Sequence, residues 1–167
     1  SEPDQVKLLP GAAESIAALK KMGFNIVIVT NQSAVARGLI TEETLAEIHQ
    51  RLKQLLMRQN AEIDAIYYCP YHPEGIVEQY KSESQLRKPA PGMLLKAKKE
   101  MDLDLDQSWL IGDSYRDIAA GKTAGCRTIL INSSIKPVYK QKGDPDPDRE
   151  AVNIKEAVNI IKMNELN

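Results

Sequence analysis

The chain has 167 residues, of which 43% are hydrophobic and 27% charged, and its 22 basic and 23 acidic residues leave a net charge of −1. This length allows one domain with a substantial core, and the balanced charge excludes an extended basic surface for nucleic acid or membrane. Two cysteines, Cys69 and Cys126, are too few for a disulfide framework, so we expect a cytoplasmic protein.

The first half of the chain predicts two helices and two strands. A helix is expected to begin at Pro10 and end at Gly23. A buried, β-branched strand follows over 24–29, with four polar residues directly after it. Thr41 is a suitable N-cap for an amphipathic helix that runs to about Gln59, and 63–69 predicts a second buried strand.

Residues 70–90 predict a long loop, because they are rich in Pro, Gly, Glu, Ser and Tyr and lack apolar periodicity. A loop of this length inside a domain is usually functional. The remaining predicted elements are a helix from Pro91, a strand over 108–111, a helix ending at Gly125, a strand over 127–131, a surface loop over 136–149, a short strand at 151–152 and a helix capped by Asn153.

This alternation predicts a single α/β domain over 1–167, with a Rossmann-like parallel sheet and helices on both faces. In such sheets, ligands bind beyond the carboxyl ends of the strands. Three polar clusters fall at predicted strand ends or just before helices: Thr30-Asn31-Gln32-Ser33, Arg87-Lys88, and Asp113 with Asp117.

The chemistry of these three clusters suits phosphoryl transfer. Hydroxyl and amide groups can bind phosphate oxygens, Arg offers a bidentate fork and Lys a point charge. Paired carboxylates can hold Mg²⁺ through oxygen. Taken singly, each cluster has a plainer explanation: an ordinary turn, a solvated loop, or acidic residues at a helix N-terminus. Their combination and order favour a site.

The clusters and their flanking residues closely resemble the motifs of the haloacid-dehalogenase superfamily. The matching segments are 29–33 with 36–38, 67–70, 87–93 and 111–117, and the similarity covers roughly residues 5–132. Within the superfamily the match is closest to the heptose-bisphosphate phosphatases and the histidinol-phosphatase domains. The resemblance implies a Mg²⁺-dependent phosphomonoester hydrolase, monomeric, that acts on a small phosphorylated sugar such as D-glycero-D-manno-heptose 1,7-bisphosphate.

The resemblance also implies roles for individual residues. Thr30 is expected to bind the phosphoryl oxygen, and its neighbours Asn31, Gln32 and Ser33 to contact substrate. Arg87 is expected to grip the second phosphate or neighbouring hydroxyls.

In the second half, Lys88 is expected to neutralise the phosphate, Asp113 to bind Mg²⁺, and Asp117 to orient the lysine or a metal-bound water. Ser114 departs from the pattern, because heptose-bisphosphate phosphatases usually carry Lys after the metal-binding Asp. The resemblance therefore predicts a weaker grip on a second phosphate.

The superfamily's nucleophile is an aspartate of an Asp-x-Asp motif at the end of a strand that precedes the first helix. The nine residues before Pro10 contain no such motif. Two explanations follow: this is part of a complete phosphatase, which we favour, or a piece without chemistry. In either case, we expect the first strand to be absent and these 167 residues alone not to hydrolyse phosphate esters.

A second departure concerns the zinc site that relatives carry in the long loop, built as Cys-x-His and Cys-x-Cys. Cys69 is retained, whereas Tyr71, Ser84 and Leu86 replace the other three ligands. His72 with Cys69 makes only half a site. Zinc is not expected, since it requires three or four protein ligands.

Two alternatives stay open. One is a histidinol-phosphate phosphatase or another sugar-phosphate phosphatase. The other, from a different class, is a non-catalytic phosphate-binding or receiver-like module. A receiver does not predict Arg87-Lys88-Pro89 after a long loop, which disfavours that alternative.

Overall fold

Every strand pairing in the computed structural model, which describes residues 2–167, is parallel. The prediction of an α/β fold is confirmed. The chain divides into two compact units, residues up to Arg87 and residues from Lys88 to Asn167, and the five strands form a two-stranded and a three-stranded sheet. None of the helices over residues 2–167 has the length and apolar composition that a bilayer crossing requires.

The first unit contains the pair of parallel strands. Its elements are α1 (Ala12–Lys21), β1 (Val27–Asn31), α2 (Ser33–Ala36), α3 (Glu42–Met57) and β2 (Ala65–Cys69), with 3-10 helices at Pro3–Gln5 and Glu78–Tyr80. Strand β1 pairs with β2 from Val27 opposite Ala65 to Asn31 opposite Cys69. As predicted, Thr41 caps α3, since its side chain accepts a hydrogen bond from the Thr44 N–H.

The second unit contains the three-stranded sheet in the order β3-β4-β5. Its elements are α4 (Gly92–Met101), β3 (Trp109–Gly112), α5 (Tyr115–Ala124), β4 (Arg127–Ile131), β5 (Arg149–Ala151) and α6 (Ile154–Glu165), with a 3-10 helix at Leu105–Gln107. All the elements predicted for this half are present, and β5 begins two residues earlier than expected.

The two halves differ in how deeply their strands are buried. In β4, which is paired on both edges, Thr128, Ile129 and Leu130 are fully buried. In β1, which pairs only with β2 among the described strands, all five residues are half-buried. The prediction that β1 is a buried strand is therefore wrong in degree, because apolar composition does not reveal how many neighbours a strand has.

Strand β1 also begins later than predicted, at Val27 instead of residue 24. The Asp64 carboxylate accepts a hydrogen bond from the Ile26 N–H at 2.6 Å, and it accepts another from Lys20 Nζ at 2.8 Å. Because a side chain takes the Ile26 N–H, that group is lost to the strand ladder. Strand pairing therefore starts at the next residue, Val27.

Two contacts attach residues 76–80 of the long loop to the rest of the first unit. The Ala36 carbonyl accepts hydrogen bonds from the N–H groups of Ile76 and Val77, at 2.8 and 3.0 Å. The Glu42 carboxylate accepts one from the Tyr68 hydroxyl at 2.7 Å and one from the Tyr80 hydroxyl at 2.6 Å. We call this second contact the Glu42 clamp; it joins α3 to β2 and to the loop.

Replacing Glu42 with Gln is expected to loosen the loop, because the amide nitrogen cannot accept a hydrogen bond from one of the two tyrosines. Unfolding free energy should fall by about 1 kcal/mol, and proteolysis within 70–90 should accelerate. Glu43→Gln, one residue along and exposed, is the matched control and should change neither quantity. Equal cleavage rates for the Glu42 variant and the wild type would contradict the clamp.

The effect of the Glu42 clamp on stability should depend on pH. Hydrogen bonds from Tyr80 and then Tyr68 lower the pKa of Glu42 below its usual 4.5, although burial opposes them. A carboxyl group with a lowered pKa in the folded state stabilises the fold above its unfolded pKa. The stability difference between wild type and Glu42→Gln should therefore persist at neutral pH and shrink as the pH falls below 4.5.

Candidate functional site

The first polar cluster lies at the carboxyl end of β1. Thr30 and Asn31 are the last residues of the strand, and Ser33 begins α2. Gln32 lies between them; its backbone N–H donates to the Cys69 carbonyl at 2.8 Å, and its side-chain amide donates to Thr30 Oγ1 at 3.1 Å. A hydroxyl that accepts one hydrogen bond can still donate another, so Thr30 retains a donor for a phosphate oxygen.

Arg87 is the last residue of the first unit, and one nitrogen of its guanidinium group is buried without a hydrogen-bond partner in the described part of the chain. Its Nη1 has no hydrogen-bond partner within residues 2–167. Buried polar groups are satisfied in the large majority of cases. An unsatisfied donor can bind a ligand oxygen, and substrate binding by Arg87 stays a prediction.

The central contact of the second unit joins Lys88 to Asp117. Lys88 Nζ donates to Asp117 Oδ1 at 2.6 Å, and the two side chains are only 14% and 11% exposed. The other carboxylate oxygen, Oδ2, accepts from the N–H groups of Asp113 and Ser114, each at 3.1 Å, and from Ser114 Oγ at 2.9 Å. One carboxylate thus holds both the lysine and the turn that presents Asp113.

The sequence builds this arrangement through a helix cap. Ser114 is the N-cap of α5, and its side chain accepts a hydrogen bond from the N–H of Asp117, the third helical residue. In turn, the Asp117 side chain accepts a hydrogen bond from the Ser114 N–H. This reciprocal pattern is a capping box. Gly112 makes room for it, since a Cβ at that position would lie 2.3 Å from the Asp117 Cβ.

Asp113 itself is the exposed carboxylate of the cluster. Its side chain is 57% exposed, and Oδ2 accepts a hydrogen bond from Lys136 Nζ at 2.8 Å. This hydrogen bond lowers the pKa of Asp113; burial acts in the opposite direction, and the charges of Lys136 and Lys88 add to the lowering. Asp113 is therefore ionised at neutral pH.

These residues fit Mg²⁺ as the metal. Mg²⁺ is usually bound by one or two carboxylates, waters and substrate phosphates, and Asp113 offers an ionised, accessible carboxylate beside Lys88.

Residues 2–167 contain no group of three or more His, Cys, Asp or Glu side chains placed to hold a metal. Cys69 and Cys126 are both buried and free, and burial raises the pKa of the Cys126 thiol to about 11.

The structure thus brings the predicted residues into two groups. Lys88, Asp113 and Asp117 meet within the second unit, and Thr30 to Ser33 lie together at one strand end of the first. Sequence reasoning missed Lys136, the partner of Asp113. It lies in a segment predicted only as a surface loop, and nothing in its spacing relative to a predicted strand end marked it.

Comparison with known proteins agrees with these observations. A family model described as HAD-hydrolase-like matches residues 85–157. The D-glycero-beta-D-manno-heptose-1,7-bisphosphate 7-phosphatase of Photorhabdus laumondii is 40% identical over 137 residues, which are 82% of this chain and 73% of that protein. The enzyme of the same name from Escherichia coli K12 is 37% identical, over 82% of this chain and 72% of its own length.

Solved structures give the same picture. The D,D-heptose 1,7-bisphosphate phosphatase of B. bronchiseptica, crystallised with magnesium and phosphate, aligns with a TM-score of 0.83 and 31% identity, over 98% of this chain and 88% of that one. The corresponding phosphatase from Burkholderia thailandensis aligns with a TM-score of 0.67 and 25% identity, over 96% and 89% of the two chains.

Proposed function

Because this chain belongs to the heptose-1,7-bisphosphate 7-phosphatase family of the haloacid-dehalogenase superfamily, we propose that it hydrolyses the C7 phosphate of D-glycero-β-D-manno-heptose 1,7-bisphosphate. The observation that carries the proposal is the buried Lys88–Asp117 pair directly beside the exposed carboxylate of Asp113. This combination offers both a fixed cation and an oxygen ligand for a metal, which phosphoryl transfer requires.

Within the second unit, each residue has a distinct proposed role. Lys88 donates to the Asp117 carboxylate, and its ammonium group would neutralise a phosphate as a point charge. Asp117 fixes the direction of that lysine and the turn at Asp113. Asp113 would hold Mg²⁺, which when bound stabilises charge on the transferring phosphoryl group as a Lewis acid.

The remaining roles are proposed on the resemblance described above. Thr30, Asn31, Gln32 and Ser33 supply hydrogen-bond donors to the substrate, and Arg87 binds its second phosphate or hydroxyls. We assign no covalent nucleophile among the described residues. Attack by the aspartate of an Asp-x-Asp motif, through an aspartyl-phosphate intermediate, stays a prediction of the resemblance. We further propose that the enzyme is monomeric. We also propose that it is cytoplasmic, which the two free, buried cysteines support.

Binding tests the substrate proposal separately from turnover. Calorimetric titration in Mg²⁺ should show heptose 1,7-bisphosphate binding at least about tenfold more tightly than histidinol phosphate, because a second phosphate adds charge-assisted hydrogen bonds. Tighter binding of histidinol phosphate would favour the alternative enzyme. No binding of any phosphate ester would contradict the whole proposal. Phosphate release is a second readout, and it measures the proposed hydrolysis directly.

The metal role of Asp113 gives a separate prediction. Loss of a residue that only supports a metal ligand costs about 10- to 100-fold in metal affinity, so Asp113→Asn should weaken Mg²⁺ binding at least about tenfold. Because the side chain is 57% exposed, unfolding free energy should change by no more than about 0.5 kcal/mol. Calorimetric Mg²⁺ titration and urea denaturation measure the two quantities.

Asp146→Asn is the matched control for this metal test. Asp146 is also an exposed aspartate of the second unit, and it pairs with Lys140 at 2.6 Å. Both variants remove one negative charge from an exposed lysine–aspartate pair. If the two variants weaken Mg²⁺ binding equally, Asp113 is not the metal ligand and the effect is one of net charge.

A further inference from the structure

Lys136 and Asp113 come from the loops that follow two different strands. Lys136 follows β4, whereas Asp113 follows β3, and the two strands are parallel neighbours. Lys136 Nζ donates to Asp113 Oδ2 at 2.8 Å. The contact therefore places a cation at the carboxyl end of the sheet, directly on the carboxylate proposed to hold the metal.

The loop that carries Lys136 is anchored where it leaves β4. The Asn132 side chain accepts a hydrogen bond from the Val138 N–H at 2.9 Å and donates one to the Val138 carbonyl at 3.4 Å. Ser133 Oγ accepts a hydrogen bond from the Lys136 N–H at 3.2 Å. Hydrogen bonds thus hold the backbone on both sides of Lys136, and its side chain is exposed.

The ion pair is exposed, and so it can exchange partners. The side chains of Lys136 and Asp113 are 77% and 57% exposed, and exposed ion pairs contribute little stability. The contrast with the buried Lys88–Asp117 pair is marked, since those side chains are 14% and 11% exposed. Metal binding at Asp113 would displace the Lys136 ammonium at small cost.

The residue after Asp113 does not itself supply a cation. Ser114 stands where the related phosphatases usually carry a lysine, and its side chain is committed to the capping box with Asp117. The carboxylates of Asp113 and Asp117 offset part of the positive charge that Lys88 and one metal ion would bring to this end of the sheet. The loop after the neighbouring strand β4 instead places the Lys136 ammonium group on the Asp113 carboxylate.

We propose that Lys136 is a substrate-binding residue: without metal it neutralises Asp113, and in the Mg²⁺-loaded protein its ammonium binds a phosphate group of the substrate. The inference rests on the proposed phosphatase function for the identity of the substrate. It rests on the observed contact for the identity of the residue. In this role Lys136, which lies in the loop after β4, takes the place of the lysine that related phosphatases usually carry at the position of Ser114.

The test compares Lys136→Met with Lys140→Met, which removes the same charge from the same loop but from a pair with Asp146. Without phosphate, Lys136→Met should bind Mg²⁺ about two- to fivefold more tightly than wild type, because no exposed ion pair competes for Asp113. In saturating Mg²⁺, its affinity for inorganic phosphate should fall about tenfold, the size of one charge-assisted hydrogen bond. Lys140→Met should change neither value.

The outcomes separate this inference from the proposed function. Unchanged phosphate affinity in Lys136→Met, or an equal loss in Lys140→Met, overturns the role of Lys136. If wild type binds phosphate through Lys136 but does not bind heptose 1,7-bisphosphate, the proposed substrate fails and the Lys136 site stands. If it binds the bisphosphate and Lys136→Met binds it as tightly, the proposed function stands and Lys136 is excluded.

Discussion

Asp117→Ala is expected to lower the free energy of unfolding by about 3–5 kcal/mol, the usual cost of removing one partner from a buried ion pair. The substitution leaves the Lys88 ammonium, 14% exposed, without the carboxylate that lies 2.6 Å away. It also removes the acceptor of the N–H groups of Asp113 and Ser114. Metal and phosphate binding should be lost together, because the turn that presents Asp113 loses its anchor.

Replacing the other partner of the pair, Lys88, should lower the free energy of unfolding by less. Lys88→Met removes the charge from the same pair, yet the Asp117 carboxylate keeps three hydrogen-bond donors, two backbone N–H groups and the Ser114 hydroxyl. A carboxylate that retains such donors remains partly stabilised. We therefore expect a smaller loss of stability than for Asp117→Ala, with phosphate affinity lost and Mg²⁺ affinity largely retained.

Urea denaturation of the two variants beside Asp146→Ala tests this order. Asp146 forms an exposed pair with Lys140, in which its side chain is 86% exposed, and its loss should cost no more than about 1 kcal/mol. If Asp117→Ala is no less stable than Asp146→Ala, the Lys88–Asp117 pair does not organise the second unit. A Lys88→Met variant less stable than Asp117→Ala would contradict the asymmetry.

Gly112→Ala is expected to disrupt the same cluster by crowding. The added Cβ would lie 2.3 Å from the Cβ and 2.6 Å from the Cγ of Asp117, so either β3 or the first turn of α5 has to shift. Overpacking of this kind costs about 1–3 kcal/mol. A shift of Asp117 also misplaces Lys88, and we expect phosphate affinity to fall at least about tenfold, as when a charge-assisted hydrogen bond is lost.

Gly121→Ala is the matched control for crowding without the site. A Cβ at Gly121 would lie 2.8 Å from Thr128 Cγ2 and 3.1 Å from the Leu110 Cβ, in the packing of α5 against the sheet. Both variants should lose stability in thermal melts, whereas only Gly112→Ala should lose phosphate affinity in calorimetry. Equal phosphate affinity for Gly112→Ala and Gly121→Ala would show that Gly112 serves packing alone.

Several features of this protein followed from local sequence signals. Thr41 marked the start of α3 and Gly125 the end of α5, because caps and left-handed glycines act within a few residues. Residues 127–131 predicted β4 with its observed bounds, because a short β-branched run is also a local signal. The motif at Gly112, Asp113 and Asp117 was equally local, since it is the cap of one helix.

The long loop was predicted without helices or strands, and it contains one short 3-10 helix at Glu78–Tyr80. The contacts that attach it were not predicted. Glu42 lies in the first turn of α3, where an acidic side chain complements the helix dipole. In the structure its carboxylate accepts hydrogen bonds from Tyr68 and Tyr80, 26 and 38 residues away. Partners so distant in sequence leave no periodic signal, so only the folded chain identifies them.

The sequence by itself determined the α/β class, nearly every element and the residue types of a phosphate and metal site, because each depends on neighbours along the chain. The tertiary structure alone decided which charges meet. Lys88 reaches Asp117 across 29 residues and Lys136 reaches Asp113 across 23. It also decided that the first pair is buried and the second exposed. The physical reason is that the contribution of a charge depends on its distance to partners and on solvent exposure, neither of which spacing along the chain specifies.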